Sequence, residues 1–410
     1  MRHFTSVGFK MKIYLYLSII LLLGVSCTKL DQGDPIQLTT KQQQLIARDH
    51  SFAFSFIQSV AASQSKDWFV SPLGMQFLLG MLANGAQGET QAQILSVLGY
   101  GTDELAEANA FYQSLLQQLP NCDPKTPLAF ANCTFLDKKL PINPSFRSCV
   151  EKEYEALVEN VDFTKPVTVK KINNWCKNNT SGLIPKMMDR PNEEMLFIIM
   201  NALYFKGEWT YKFSGHETGK EVFHLETGGE REVMMMKLSK TDASKCSYSD
   251  NDFCECLRLP FGNEAFSMSI ILPRKGITLP ETLSYLNQDA WSALSDHISV
   301  VGKLDLWLPR FDSTCSIDLN EILSGMGMPL AFNGGSFSAI SDGLNAVSLI
   351  RQISAIDINE NGAEAASMSV AMGLGAIPRN LVFHADHPFL YLITESSTDM
   401  ILFAGVYTGN

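Results

Sequence analysis

The sequence predicts a mixed α+β fold organised as one large domain, and three observations lead there. Runs of nearly continuous apolar residues, above all Leu196 to Phe205, have the character of strands buried on both faces. Other segments, such as Leu45 to Ala62, place Phe52, Phe56 and Val60 along one helical stripe. The chain has 410 residues, 46% of them apolar, and no Pro/Ser/Gly-rich linker, charge block or repeat divides it, which suits a single core. A net charge of −11, with the positive charges scattered, argues against nucleic acid or other polyanions as partners.

The N-terminal stretch reads as a targeting signal. Lys10 and Lys12 precede an apolar run from Ile13 to Val25 that has the length of a signal-peptide core and is short for a membrane span. Met11 is the more natural start. The run ends Gly24-Val25-Ser26-Cys27, which resembles a bacterial lipobox in which Cys27 becomes the lipidated first residue, with Gly24 standing where Leu is usual. The alternative is an ordinary signal peptide cut nearby. On this reading residues 1–26 are removed, 27–44 form a polar tether and 45–410 fold as one domain. The product is exported and lipid-anchored at the bacterial outer membrane, on the cell surface or the periplasmic face, or is otherwise secreted or periplasmic. Beyond Cys27 the cysteines are Cys122, Cys133, Cys149, Cys176, Cys246, Cys254, Cys256 and Cys315. Export permits disulfides, but the spacings are irregular, and Cys254 and Cys256 share one strand face without a second pair to complete a zinc site. Buried free thiols are expected, and no metal.

Along the chain, Trp68 to Val70 reads as a short strand, and Ser71-Pro72 as the cap and first turn of the following helix. Helices are expected from Gly88 to Leu98, Asp103 to Leu119, Phe146 to Val158 and Val167 to Lys177, and a strand from Ala129 to Leu136. Asn201 interrupts the apolar strand before Phe205, and a buried amide needs partners. Leu257 to Gly262 with Phe266 to Pro273, and Phe389 to Thr394 with Met400 to Tyr407, read as strand pairs. No G-x-S-x-G, H-E-x-x-H, phosphate loop or G-x-G-x-x-G is present, so no enzyme chemistry and no cofactor are indicated. Asn132-Cys133-Thr134 and Asn179-Thr180-Ser181 fit a glycosylation sequon, which means little in a bacterial lipoprotein.

One segment carries two descriptions that conflict. Ser354 to Glu360 alternates like a strand and is broken at Gly362. Then Ala363, Ala365, Ser367, Ser369, Ala371 and Gly373 are all small and spaced by two, so a strand formed here has one face narrow enough to slide between two others. The same stretch, Gly-rich and ending Ile377-Pro378-Arg379, has the composition of an exposed loop that invites proteolysis.

These residues and others resemble the serpin family. Glu360-Asn361-Gly362-Ala363-Glu364-Ala365-Ala366-Ser367 is similar to the reactive-loop hinge, and Phe383 to Phe389 (F-H-A-D-H-P-F) to the sequence that follows the loop. S-P-L-G-M from Ser71, N-A-L-Y-F-K-G-E-W from Asn201 and R-E-V-M-M-M-K from Arg231 match further family motifs in collinear order over about residues 45–410. The resemblance implies a fold of three β-sheets and about eight or nine helices with an exposed reactive-centre loop near residues 360–380. It implies a protease inhibitor that acts as a suicide substrate, a monomer whose partner is a target protease.

In that mechanism the protease cleaves the loop, and the freed strand enters the central sheet with the acylated protease attached. Counting from Glu360 at the family's usual spacing puts the scissile bond at Ala376–Ile377, with Leu374 and Gly375 before it. Small Ala376 suits elastase- or subtilisin-like serine proteases. Cleavage after Met372, Leu374 or Arg379 is the alternative, as are a papain-like cysteine protease target and a non-inhibitory binding role. Ser71, Asn201 and Gln352 match the shutter at which the sheet opens, and Trp209 the breach at which the loop enters. The family usually has a second Ser where Gly74 stands and a His where Gln352 stands, so an altered shutter network is expected. The matching helix of polyanion-activated members is basic, whereas Asp103 to Leu119 has no Lys or Arg. His384 and His387 fall within the family's structural signature.

Overall fold

The computed structural model describes residues 33–124, 126–360 and 379–409. Among the described residues nine α-helices surround two sheet assemblies. The helices are α1 (Thr40–Ser63), α2 (Pro72–Gly85), α3 (Gly88–Val97), α4 (Leu105–Gln118), α5 (Pro144–Tyr154), α6 (Pro166–Asn179), α7 (Leu279–Tyr285), α8 (Gln288–Asp296) and α9 (Asn320–Met326).

The smaller assembly is a five-stranded sheet in the order β11 (Phe311–Asp318), β12 (Leu349–Ile358), β4 (Phe197–Phe205), β2 (Leu128–Asp137), β3 (Leu157–Val161). The larger has ten strands: β1 (Trp68–Val70), β5 (Gly219–His224), β6 (Glu230–Asp242), β7 (Ser247–Asp250), β8 (Cys254–Phe261), β9 (Phe266–Pro273), β10 (Ser299–Pro309), β13 (Arg379–His384), β14 (Phe389–Glu395) and β15 (Ile401–Tyr407). It folds over at β10, which meets β7 only through Ser299 and Val300 and runs on to pair with β6 and β13. The three expected sheets are therefore present, two of them joined through β10.

Local chemistry accounts for the element ends. Thr39 and Gln42 form a reciprocal capping box, so α1 starts at Thr40 within the stretch expected to be tether. The Ser71 side chain caps α2 by accepting from the Gly74 N–H, and Pro72 opens its first turn. α5 stops at Tyr154 because Glu155 adopts a left-handed φ of 51°. The helix expected to reach Val158 thus gives way to β3, whose Leu157 and Val158 pair with Cys133 and Thr134. β12 begins at Leu349, earlier than its alternation suggests, because Leu349-Ile350 and Gln352-Ile353 are buried on both faces like their partners on β4.

Two cores sandwich the five-stranded sheet. α2, buried along almost its whole length, lies between that sheet and β15. On the opposite face Ile172 and Cys176 of α6 pack with Cys133, Met200, Ile198, Leu349 and Ile353. The eight cysteines of the described residues are free thiols, six of them buried. Burial raises the thiol pKa of Cys133, and pushes Cys246 and Cys254 up to about 12.

Candidate functional site at the central seam

The five-stranded sheet has one parallel junction in its middle. β12 runs parallel to β4 in direct register from Leu349↔Ile198 to Ile356↔Phe205. β12 is also the strand that leads into residues 361–378. The seam between β4 and β12 is thus closed by backbone bonds, and the chain leaves from its upper end.

The middle of the seam is polar and buried. Asn132, Asn201 and Gln352 occupy one row across β2, β4 and β12, and all three are buried. Gln352 bonds to the start of α2: the Ser71 N–H donates to its Oε1 at 2.7 Å, and its Nε2 donates to the Ser71 carbonyl at 2.9 Å. The Ser71 hydroxyl donates to the Leu402 carbonyl at 2.5 Å, and the Ser354 hydroxyl donates to the Phe69 carbonyl. Asn201 bonds the other way. Its Nδ2 donates to Asn132 Oδ1 at 2.6 Å, and Asn132 Nδ2 donates to the Tyr154 carbonyl at 2.9 Å. The Asn201 Oδ1 has no hydrogen-bond partner among the described residues, a defect that typically costs about 1–3 kcal/mol.

At the upper end, Trp209 is 2% exposed and stacks on Phe261 with ring centroids 4.4 Å apart. Its Nε1 donates to the Asn359 carbonyl at 2.9 Å, joining the chain beyond β4 to the chain beyond β12. Glu360, the last described residue before the loop, lies 3.5 Å from Arg310. With Arg310 half exposed and Glu360 largely covered, a pair of this kind contributes about 1 kcal/mol.

The structure therefore brings Ser71, Asn201, Gln352, Trp209 and Glu360 to one seam. Gly362, Ala363, Glu364, Ala365, Ala366, Ser367, Ser369, Leu374, Gly375, Ala376 and Ile377 lie outside the described residues, as does Cys27. Asn132, Asn359 and Ser354 were missed by sequence reasoning. Asn132 had a usable signal, since like Asn201 it is an amide within an apolar strand. Its burial and its two side-chain bonds are those of a structural amide. His387 bonds to Asp386 at 2.8 Å and to the Pro273 carbonyl at 2.9 Å. The bond to His387 holds the Asp386 carboxyl below the usual range. Among the described residues no group of three or more His, Cys, Asp or Glu is arranged to hold a metal. A cavity of about 570 Å³ lies between α1 and α7, with Trp68 and Val406 in its wall.

The family model for serpins (serine protease inhibitors) matches residues 47–409. The chain belongs to the serpin family. Serpin B6 of Macaca fascicularis is 31% identical over 369 residues, covering 87% of this chain and 97% of the relative. The leukocyte elastase inhibitor of Xenopus laevis is 31% identical over 373 residues, with the same coverage. Among solved structures, native tengpin, a thermophilic serpin, superposes with a TM-score of 0.80 at 24% identity over 92% of this chain and 97% of its own. That likeness concerns the fold. Arabidopsis AtSerpin1 in its native stressed conformation gives a TM-score of 0.79 at 26% identity, covering 90% and 98%.

The two departures of this serpin from its family's pattern have a joint physical effect. A Cβ on Gly74 would stand 2.5 Å from Asn201 Oδ1 and 2.6 Å from Leu203 Cδ2. The missing side chain is what lets the Asn201 amide oxygen rest against α2. Gln352, in place of the usual His, has both a donor and an acceptor and spends them on the Ser71 backbone.

Proposed function

We propose that this chain is an inhibitory serpin, not an enzyme, that traps serine proteases of elastase or subtilisin type through cleavage at Ala376–Ile377. The observation that carries the reading is the parallel β4–β12 junction, with the chain leaving β12 at the Trp209 end of the seam. A segment leaving β12 must reverse direction to enter the seam, so it runs antiparallel to both neighbours. One parallel ladder is then exchanged for two antiparallel ones, the better-paired arrangement. The gain is on the order of 10 kcal/mol from hydrogen bonding, before burial is counted.

The steps are those that the family resemblance implies. The protease serine attacks the Ala376 carbonyl, the bond to the Ile377 nitrogen breaks, and an ester links the protease to the new C-terminus. Freed at Ala376, the loop enters from the Trp209 end with its small residues facing inward, and the acylated protease is drawn along and distorted. The hinge has neither Pro nor charge at its small inward positions, which supports trapping over simple cleavage.

The Ile13–Cys27 stretch supports export, with a lipid on Cys27 at a bacterial outer membrane or as a secreted or periplasmic product, and there a monomeric inhibitor would blunt foreign proteases. The deciding experiment is an SDS gel after mixing with elastase, subtilisin, trypsin and papain. A covalent band with elastase or subtilisin is expected. Complete cleavage by all four without any such band would overturn the inhibitory reading, and a band with papain alone would move the target to the cysteine class.

A further inference from the structure

The seam carries side-chain hydrogen bonds across it at both ends, and between them Arg351 of β12 donates to the Met187 carbonyl, in the chain ahead of β4, at 2.8 Å. At the loop end the bond is Trp209 Nε1 to the Asn359 carbonyl. At the far end Ser348, just ahead of β12, reaches across to β4. Its hydroxyl oxygen accepts from the Leu196 N–H at 3.0 Å and the Phe197 N–H at 3.3 Å, and its own N–H donates to the Phe197 carbonyl at 3.0 Å. Asn320, at the start of α9, braces it from outside. Asn320 Nδ2 donates to the Ser348 carbonyl at 3.0 Å, and its Oδ1 accepts from the Ile350 N–H at 2.8 Å. Between the two ends Asn201 and Gln352 bond away from each other, so the halves of the seam part there without losing a side-chain bond.

We propose that Ser348 is a positioning residue that decides how far the cleaved loop travels. It fastens the far end of the seam, so the last part of the strand enters only when the Ser348 bonds to Leu196 and Phe197 give way. This rests on the inhibitory reading above. Antiparallel pairing advances one residue on each strand together, so a loop that turns back after Ile358 meets the Ser348 level at about residue 372, roughly four residues short of Ala376. A strand arrested there leaves the protease undistorted and able to hydrolyse its ester, which spends the inhibitor as a substrate. Trp209 controls entry, and Ser348 controls completion.

Two synthetic peptides separate these roles. A peptide of residues 363–374 extends past the Ser348 level, and one of residues 363–370 stops before it. Annealing of each to the intact protein is followed on native gels. Ser348→Ala should speed annealing of the long peptide about fivefold or more, the size expected for loss of one or two such bonds, and leave the short peptide unchanged. Ser348→Thr, which keeps the hydroxyl, should restore the long-peptide rate, and Asn320→Ala should reproduce the selective acceleration if Ser348→Ala does not fold. Equal acceleration of both peptides, or of neither, overturns the assignment. Failure of the unaltered protein to anneal either peptide overturns the inhibitory reading itself.

Discussion

Asn201 and Gln352 stand directly opposite one another in the β4–β12 ladder, both fully buried, and their side-chain amides turn to opposite sides of the seam. The closed sheet is thus made of two internally bonded halves that meet through backbone alone at this row. Gln352→Ala would strip both bonds from the buried Ser71 backbone. The expected loss is about 2–6 kcal/mol, since each of the two orphaned groups typically costs about 1–3 kcal/mol. A lowered urea midpoint of the intact protein checks this, and an unchanged midpoint would remove Gln352 from the network that holds the seam.

Small size at the inward hinge positions is needed for the strand to fit. Ala363→Arg is expected to abolish the SDS-stable protease complex while cleavage of the loop continues, because a buried guanidinium stalls insertion. Complex formation at the rate of the unaltered protein would count against insertion as the trapping step.

Trp209→Phe should retain the ring that stacks on Phe261 and lose the N–H that holds the Asn359 carbonyl. Removing one hydrogen bond of about 1 kcal/mol predicts roughly fivefold faster annealing of either loop peptide. This differs from the length-selective effect expected at Ser348.

Cutting within residues 361–378 relieves the loop of its second attachment at β13. The cut protein is expected to melt at a higher temperature than the intact one, as followed by circular dichroism. Equal melting temperatures would leave no stored energy to distort a protease. Mass spectrometry of the peptide released from the SDS-stable complex should find it starting at Ile377, and a start at Asn380 would move the target to trypsin-like enzymes.

Asp49 supplies a pH test remote from the seam. It is buried on α1, where Gln76 Nε2 donates to its Oδ1 at 2.9 Å and its Oδ2 has no hydrogen-bond partner among the described residues. Burial raises its pKa well above 3.8, opposed by the Gln76 bond and Arg48. A carboxyl with a raised pKa favours folding fully below the unfolded value, and that contribution is lost as pH rises through the folded pKa. Asp49→Asn should therefore match the unaltered protein near pH 3.8 and become progressively the more heat-stable of the two as pH rises. A difference in melting temperature that does not change with pH would show that Asp49 stays charged in the fold.

Much of this molecule was legible in the residues alone. Apolar runs marked β4, β9, β14 and β15, helical stripes marked α1 and α4, and Ser71-Pro72 marked the start of α2, because each signal is written in neighbours along the chain. The period-two small residues from Ala363 to Gly373 likewise belong to local sequence. The row of Asn132, Asn201 and Gln352 does not, since these residues come together only when three strands adopt one register. Which way each buried amide turns depends on space beside Gly74 and on the backbone of Ser71, and the reach of Ser348 to Leu196 and Phe197 depends on the parallel pairing of β12 with β4. Sequence determined what could become strand or helix. Only the folded sheet decided where its seam is fastened, because a hydrogen bond between distant residues exists only at the distance and angle that packing imposes.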